Sequence, residues 1–380
     1  MNDPLKAHGF EVAGDALGCA IRRAPGYSGK DALAVLLQGV AQRAFPGAAF
    51  AVLRKGETVL QGAAGRFTYS ETAEDVTLST IFDLASVTKV VATTTMAMLL
   101  YERGLLDLQQ PVVELLPQFA RADDSDRRQV TVEMLLAHCS GLPAYVKLFQ
   151  QASDPASLLK LAFYVPLEIT PGSRSEYSDI GFILFGELLR IIAGESLDSF
   201  CAREIFLALG MKSTFFCPAA RLRNTIPPTV DDQDFRRRVI QGEVHDENAS
   251  VMGGISGHAG VFSNTADLMK FSASILGHGR QLFRPGTVAS FTRRQPSPPG
   301  TSRALGWDTP SAPSQSGKHF SPHSFGHLGY TGTSLWIDGE RGIAIALLTN
   351  RTWPDRQSQL IKQVRPRFHD AVMEELLKIS

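Results

Sequence analysis

Strand-forming sequence lies at both ends of this chain and helix-forming sequence lies between, which limits the available folds more than any other feature. Near the start, "AAFAVLRKGETVLQGAAG" (48–65) reads as a hairpin turning at Lys55-Gly56-Glu57. Near the end, "TSLWID" and "GIAIALLTN" read as strands joined by a tight turn over 338–342. Between them, residues 31–44 show helical spacing ended by Pro46-Gly47. The stretch "IFDLASVTKVVATTTMAMLL" (81–100) is apolar on nearly every face and predicts a buried central helix. Further helices are predicted at "TVEMLLAH", "ASLLKLAF" and "GFILFGELLRIIAG", and a final one over roughly Arg367–Ile379. Residues 218–250 and the Pro/Ser/Gly-rich 285–325 read as loop. The economical assembly is an α+β fold, with one antiparallel sheet built from both termini and helices packed on it. Residues 1–30 read as an N-terminal extension and 31–380 as a single domain. Its α/β lobe takes 31–105 and 320–380, and a mainly helical lobe takes about 106–319. The cleft between the lobes is where a site is expected.

Charge narrows the function. Lys+Arg and Asp+Glu are both 38, so no basic field points to nucleic acid or to an anionic membrane surface. No apolar run reaches membrane-spanning length. The start lacks the charged-then-apolar pattern of a secretory signal, and the four cysteines form no C-x-x-C pair. A cytoplasmic protein with reduced thiols is the expectation.

Ser86 and Lys89 lie one helical turn apart, within reach of each other. The extended "IFDLA" places Ser86 near a helix N-terminus, where free N–H groups favour developing negative charge. A lysine buried beside a serine can lose its charge and act as a base. The same spacing recurs at Ser157 and Lys160, where Asp154-Pro155 starts a helix, and there it reads as structural. Two further stretches support Ser86: Tyr177-Ser178-Asp179 before an amphipathic helix, and His327-Leu328-Gly329 entering the penultimate strand.

The ordered set Ser-x-x-Lys, Tyr-x-Asn (here with Asp179 at the third place) and Lys/His-x-Gly resembles the serine β-lactamase and penicillin-binding-protein superfamily. The resemblance is nearest to the class C β-lactamase, D-Ala-D-Ala carboxypeptidase and esterase branch. "LLAHCSGLP", "ALGMKSTFF" and "GGISGHAGVFSNTADLMKF" resemble recurrent segments of that superfamily. The resemblance implies Ser86 as nucleophile, Lys89 as its proton acceptor, and Tyr177 as partner base and acid for the leaving group. It places His327 where a lysine is commoner, Gly329 at a close backbone approach, and the Ser86 and Tyr330 N–H groups as an oxyanion hole. Asp179 stands where Asn is commoner. A carboxylate there either pairs with Lys89 and holds it charged, or faces a substrate amine or hydroxyl. His327 replaces a permanent cation, which counts against recognition of a β-lactam carboxylate.

"GEVHDENASVMGG" (242–254), with the later "GHAG", resembles a subgroup of that superfamily that cleaves N-acetylmuramic acid from peptide during muropeptide recycling. His245, Asp246 and Asn248 are then candidates for binding sugar or peptide. His245, Asp246, Glu247 and His258 lack the spacing of a helical metal site, so no metal and no organic cofactor is expected. His138 reads as the anchor of the turn at 140–143, and Arg236-Arg237-Arg238 as a solvated face. The expected activity is hydrolysis of an amide or ester through an acyl-enzyme, with a small-molecule substrate and a muropeptide first. The alternatives are a D-Ala-D-Ala carboxypeptidase, a carboxylesterase, a β-lactamase-like enzyme, or a sensor that acylates without turnover.

Overall fold

A computed structural model describes residues 11–15 and 19–379. The chain opens with strands β1 (Glu11–Asp15), β2 (Cys19–Arg23), β3 (Gly47–Arg54) and β4 (Glu57–Gly65). Five short strands lie mid-chain: β5 (Phe82–Asp83), β6 (Phe215–Phe216), β7 (Pro228–Asp232), β8 (Arg238–Gln241) and β9 (Val261–Ser263). The chain closes with β10 (Phe325–Leu328), β11 (Ser334–Asp338) and β12 (Ile343–Thr349). Seven of these form one antiparallel sheet in the order β1-β2-β4-β3-β12-β11-β10. The two ends of the chain thus meet at its centre, where β3 pairs with β12.

Side-chain alternation explains why helices cover both faces of that sheet. On β3, Ala48, Phe50 and Val52 join one core cluster, while Ala49, Ala51 and Leu53 join the other. On β12, Ile343, Ile345 and Leu347 alternate with Ala344, Ala346 and Leu348 in the same way. Helices Lys30–Ala41 and Ile361–Lys378 cover the first face. Helix Thr265–Ile275 covers the second, against β3 and β12. The helical lobe extends the second cluster through Pro155–Tyr164 and Asp179–Ala193. The sheet therefore takes in Cys19–Arg23, before the boundary expected at 31, and helix Thr265–Ile275 lies against the sheet although its residues fall in the expected helical lobe. No helix among the described residues is long and apolar enough to cross a membrane.

Other differences have local causes. The central helix is not uniform: Ala85–Val87 is one tight turn, Lys89–Thr94 is a π-helix, and Thr95–Glu102 is α-helical. The Thr95 hydroxyl donates to the Val90 carbonyl five residues back (2.7 Å), which matches the wider turn. The final helix starts at Ile361, with Pro366 inside it. Proline cannot donate to the carbonyl four residues back, and the Gln315 side chain donates to that Lys362 carbonyl instead (3.1 Å). Within 218–250, β7 and β8 form a hairpin. Arg236 is no solvated face: it pairs with Asp232 at 2.8 Å and donates to the Val244 and His245 carbonyls.

One contact sets the helical lobe against the loop before β9. Helix Asp179–Ala193 crosses that loop at Gly186 and Gly257, where a Cβ on either glycine would lie 2.9 Å from backbone atoms of the other. A Cβ on Gly257 would also strike the Phe182 carbonyl. Gly257→Ala is therefore expected to lower stability by about 1–3 kcal/mol. A urea unfolding midpoint unchanged from wild type would refute this.

Candidate active site

Ser86 follows a turn fixed from several directions. β5 pairs with β9, and the Leu84 N–H continues the ladder to Val261 O (2.9 Å). Ala85 then adopts φ +46°, a conformation that costs a non-glycine residue free energy. The Asp83 carboxylate holds it there by accepting the Ala85 N–H at 2.8 Å, and its other oxygen accepts the His245 N–H at 2.6 Å. From the far end of the chain, the Thr331 and Thr333 hydroxyls donate to the Asp83 and Leu84 carbonyls (2.8 and 2.9 Å). Gly329 lies so close that a Cβ there would collide with Thr333 and Leu84. Asp83 is fully buried, and burial pushes its carboxyl up to about 6.

Ser86 Oγ accepts hydrogen bonds from Lys89 Nζ at 3.0 Å and from the Tyr177 hydroxyl at 2.8 Å. Lys89 is fully buried and also donates to Asp179 at 2.6 Å and to the His258 carbonyl at 3.0 Å. Burial pushes the Lys89 ammonium below its ordinary range, while the neighbouring Asp179 charge pulls it back up. Burial, reinforced by the Asp179 charge, holds the Tyr177 phenol well above its ordinary value. Tyr177 and Asp179 come from the start of helix Asp179–Ala193, capped by Ser178, whose Oγ accepts the Gly181 N–H and donates to Pro143 O. His138 Nδ1 accepts the Ser178 N–H (3.0 Å), and its ring lies 4.7 Å from that of Tyr177.

These groups open into a cavity of about 640 Å³ whose wall includes His327, Gly329, Tyr330, His245 and Asp246. His327 is buried, and burial pushes it well below its ordinary value, so it is neutral. Its Nδ1 lies 2.7 Å from the Leu328 carbonyl and so carries the proton, which leaves Nε2 as an acceptor without a protein partner. The Tyr330 N–H donates to no group among the described residues. His245, lowered by burial to about 3, has both ring nitrogens unpartnered, and its ring centre lies 5.7 Å from that of Tyr330.

Asn248 is not on this wall. It is fully buried and spent on backbone, accepting from Phe149 N and donating to Val146 O. A polar side chain in a polar loop gives no sign in the sequence of which way it faces. The other loop carboxylates and histidines do not converge. Asp246 pairs with His258 at 2.8 Å, and Glu247 accepts from Arg356 at 2.6 Å. No group of three or more His, Cys, Asp or Glu among the described residues could hold a metal ion.

Several residues at the site carried no sequence signal: Asp83, Arg303, Arg351 and Arg365. Arg303 stands over Tyr177, with its guanidinium carbon 5.4 Å from the ring centroid, yet it comes from the irregular segment read as surface. Arg365 is buried beside Gly329, and burial pushes it down to about 9. Asp83→Asn would put an NH2 against one of two N–H donors, and is expected to destabilise the Ser86 turn. The Asp83 carboxyl is raised above its unfolded value, so its charge costs stability above pH ~6, and that cost fades as pH falls towards ~4. Wild type should therefore gain on Asp83→Asn between about pH 7 and pH 5 in urea unfolding, and a constant or shrinking gap would contradict this.

The geometry can be set beside known proteins. Residues 34–365 match the family described as Beta-lactamase. A protein of Bacillus subtilis (strain 168) named N-acetylmuramyl-L-alanine amidase is 32% identical over 348 residues, 81% of this chain and 77% of that protein. A putative D-alanyl-D-alanine carboxypeptidase of Salmonella agona (strain SL483) is 32% identical over 356 residues, 83% of this chain and 81% of that protein. Among solved structures, a class C beta lactamase from Rhodobacter sphaeroides gives a TM-score of 0.71 at 22% identity, covering 92% of this chain and 100% of that one. A penicillin-binding protein homolog from Caulobacter crescentus gives 0.73 at 18% identity, covering 96% and 100%. The chain therefore belongs to the beta-lactamase family, within the serine hydrolases that beta-lactamases share with penicillin-binding proteins.

Proposed function

We propose that this hydrolase cleaves the amide between the lactyl group of N-acetylmuramic acid and L-Ala of a muropeptide, through an acyl-enzyme on Ser86. The observation that carries the reading is the Ser86 hydroxyl bonded by both Lys89 and Tyr177 at the floor of a cavity large enough for part of a glycopeptide. Ser86 Oγ attacks the amide carbon as its proton passes to Lys89. The carbonyl oxygen becomes an oxyanion facing the Ser86 and Tyr330 N–H groups. The C–N bond breaks as Tyr177 gives a proton to the amine, and water then releases the acyl group. The neutral His327 Nε2 accepts from a substrate N–H or hydroxyl, and His245 and Asp246 contact sugar or peptide. The substrate choice is supported by the name of the Bacillus subtilis relative and by His245, Asp246 and Glu247 on the cavity wall. Turnover of imported fragments in the cytoplasm is the setting that fits.

The Salmonella relative's name favours a second reading, removal of a terminal D-Ala by the same residues. Both are tested by incubating wild type and Ser86→Ala with a mixed muropeptide digest and reading products by mass spectrometry. The expected result is free peptide and N-acetylmuramic acid from wild type alone, with the variant lower by at least about a thousandfold. Loss of terminal alanine would establish the carboxypeptidase, and full turnover by Ser86→Ala would refute the serine mechanism.

A further inference from the structure

The Lys89 ammonium has three N–H bonds and three acceptors: Ser86 Oγ at 3.0 Å, Asp179 Oδ1 at 2.6 Å and the His258 carbonyl at 3.0 Å. All three are filled when the lysine is charged, and the short contact to a carboxylate is that of a charge-assisted bond. In this state Lys89 has no lone pair with which to take the Ser86 proton. Tyr177 offers none either, since its hydroxyl donates to Ser86 Oγ. Both partners of the serine are loaded with protons at rest. The group able to accept a proton one hydrogen bond from Lys89 is Asp179, whose side chain is 16% exposed on the cavity wall. With Asn at this position no such acceptor would exist.

We propose that Asp179 is the proton store of the site, taking a proton from Lys89 as Lys89 takes one from Ser86. The Ser86 O–H bond breaks and its electron pair forms the bond to the substrate carbonyl carbon. One N–H bond forms on Lys89 and another breaks, and an O–H bond forms on Asp179. At collapse the amine leaves with the Tyr177 proton, Tyr177 is refilled from Lys89, and Asp179 returns its proton to Lys89. The resting charges are restored and the net transfer is from Ser86 to the leaving amine. Asp179 thus acts through Lys89 as a positioning and proton-holding residue. Lys89 and Tyr177 face it directly. The cavity lining also brings Tyr145, Asp246, Glu247, His258, Arg303 and His327 to this site, and His138 lies behind Tyr177.

The proposal rests on the Ser86 reading above, and the test separates the two. The acylation burst of the full chain with p-nitrophenyl acetate is followed against pH for wild type, Asp179→Asn and Ser86→Ala. In wild type the low-pH loss of rate follows protonation of the coupled Lys89–Asp179 pair. In Asp179→Asn the working form needs an uncharged Lys89, so the loss should begin at least about one pH unit higher, with about a tenfold fall per unit below it. Superimposable profiles would overturn the proposal. A burst retained by Ser86→Ala would instead sink the serine reading and the relay with it. A second measurement needs no variant: the burst rate of wild type in H2O/D2O mixtures. Two protons moving together give a bowed dependence on deuterium content, as expected here, and a straight line would overturn the relay.

Discussion

Burial of one ammonium group organises this molecule. Lys89 has no solvent exposure, and an unpaired charge at such depth would cost many kcal/mol. The cost is offset only if a hydroxyl from its own turn, a carboxylate from helix Asp179–Ala193 and a carbonyl before β9 converge on it. Three distant parts of the chain are thereby held to one point. The π-helical turn that carries Lys89, the glycine crossing at Gly186 and Gly257, and the Ser178 cap all serve that convergence.

The electrostatics of the cavity divide into two halves. Around Ser86 the polar groups are paired with one another: Lys89 with Asp179, and the His258 ring with Asp246. Farther out, Arg351 and Arg365 bond only neutral groups, while Arg356 is paired with Glu247. The histidines between, His245 and His327, are neutral and present unpartnered nitrogens. A neutral polar wall beside the scissile bond suits hydroxyl and amide groups better than an anion.

Much of this was legible in the residues, for identifiable reasons. The 48–65 hairpin shows itself because two apolar, strand-forming runs flank a glycine that the turn needs, Gly56 at φ +85°. Ser86, Lys89, Tyr177, Asp179 and His327 were picked out because their short motifs follow one another in the order that the superfamily resemblance implies. Asp83 and Arg303 were not, because one is an ordinary strand residue and the other lies in irregular chain, and only the tertiary crossing brings them to the site. The β7–β8 hairpin was hidden by its polar outer residues, and the start of the last helix by Pro366. Asn248 and Arg236 show the same limit from the other side: polarity reveals that a side chain needs partners, but not whether they are ligand or backbone.

The threonine bonds onto the Ser86 turn bridge separations of 248 and 249 residues in a chain of 380. The central β3–β12 pairing spans a similar stretch. A nascent chain therefore displays its serine, lysine and tyrosine long before the strands that brace them have been synthesised. Until the last strands dock, the Ala85 conformation lacks half its supports, and one side of the cavity does not exist. In a chain made from its N-terminus, Ser86 therefore sits in an unbraced turn until the strands from Phe325 to Thr349 have been made and have paired.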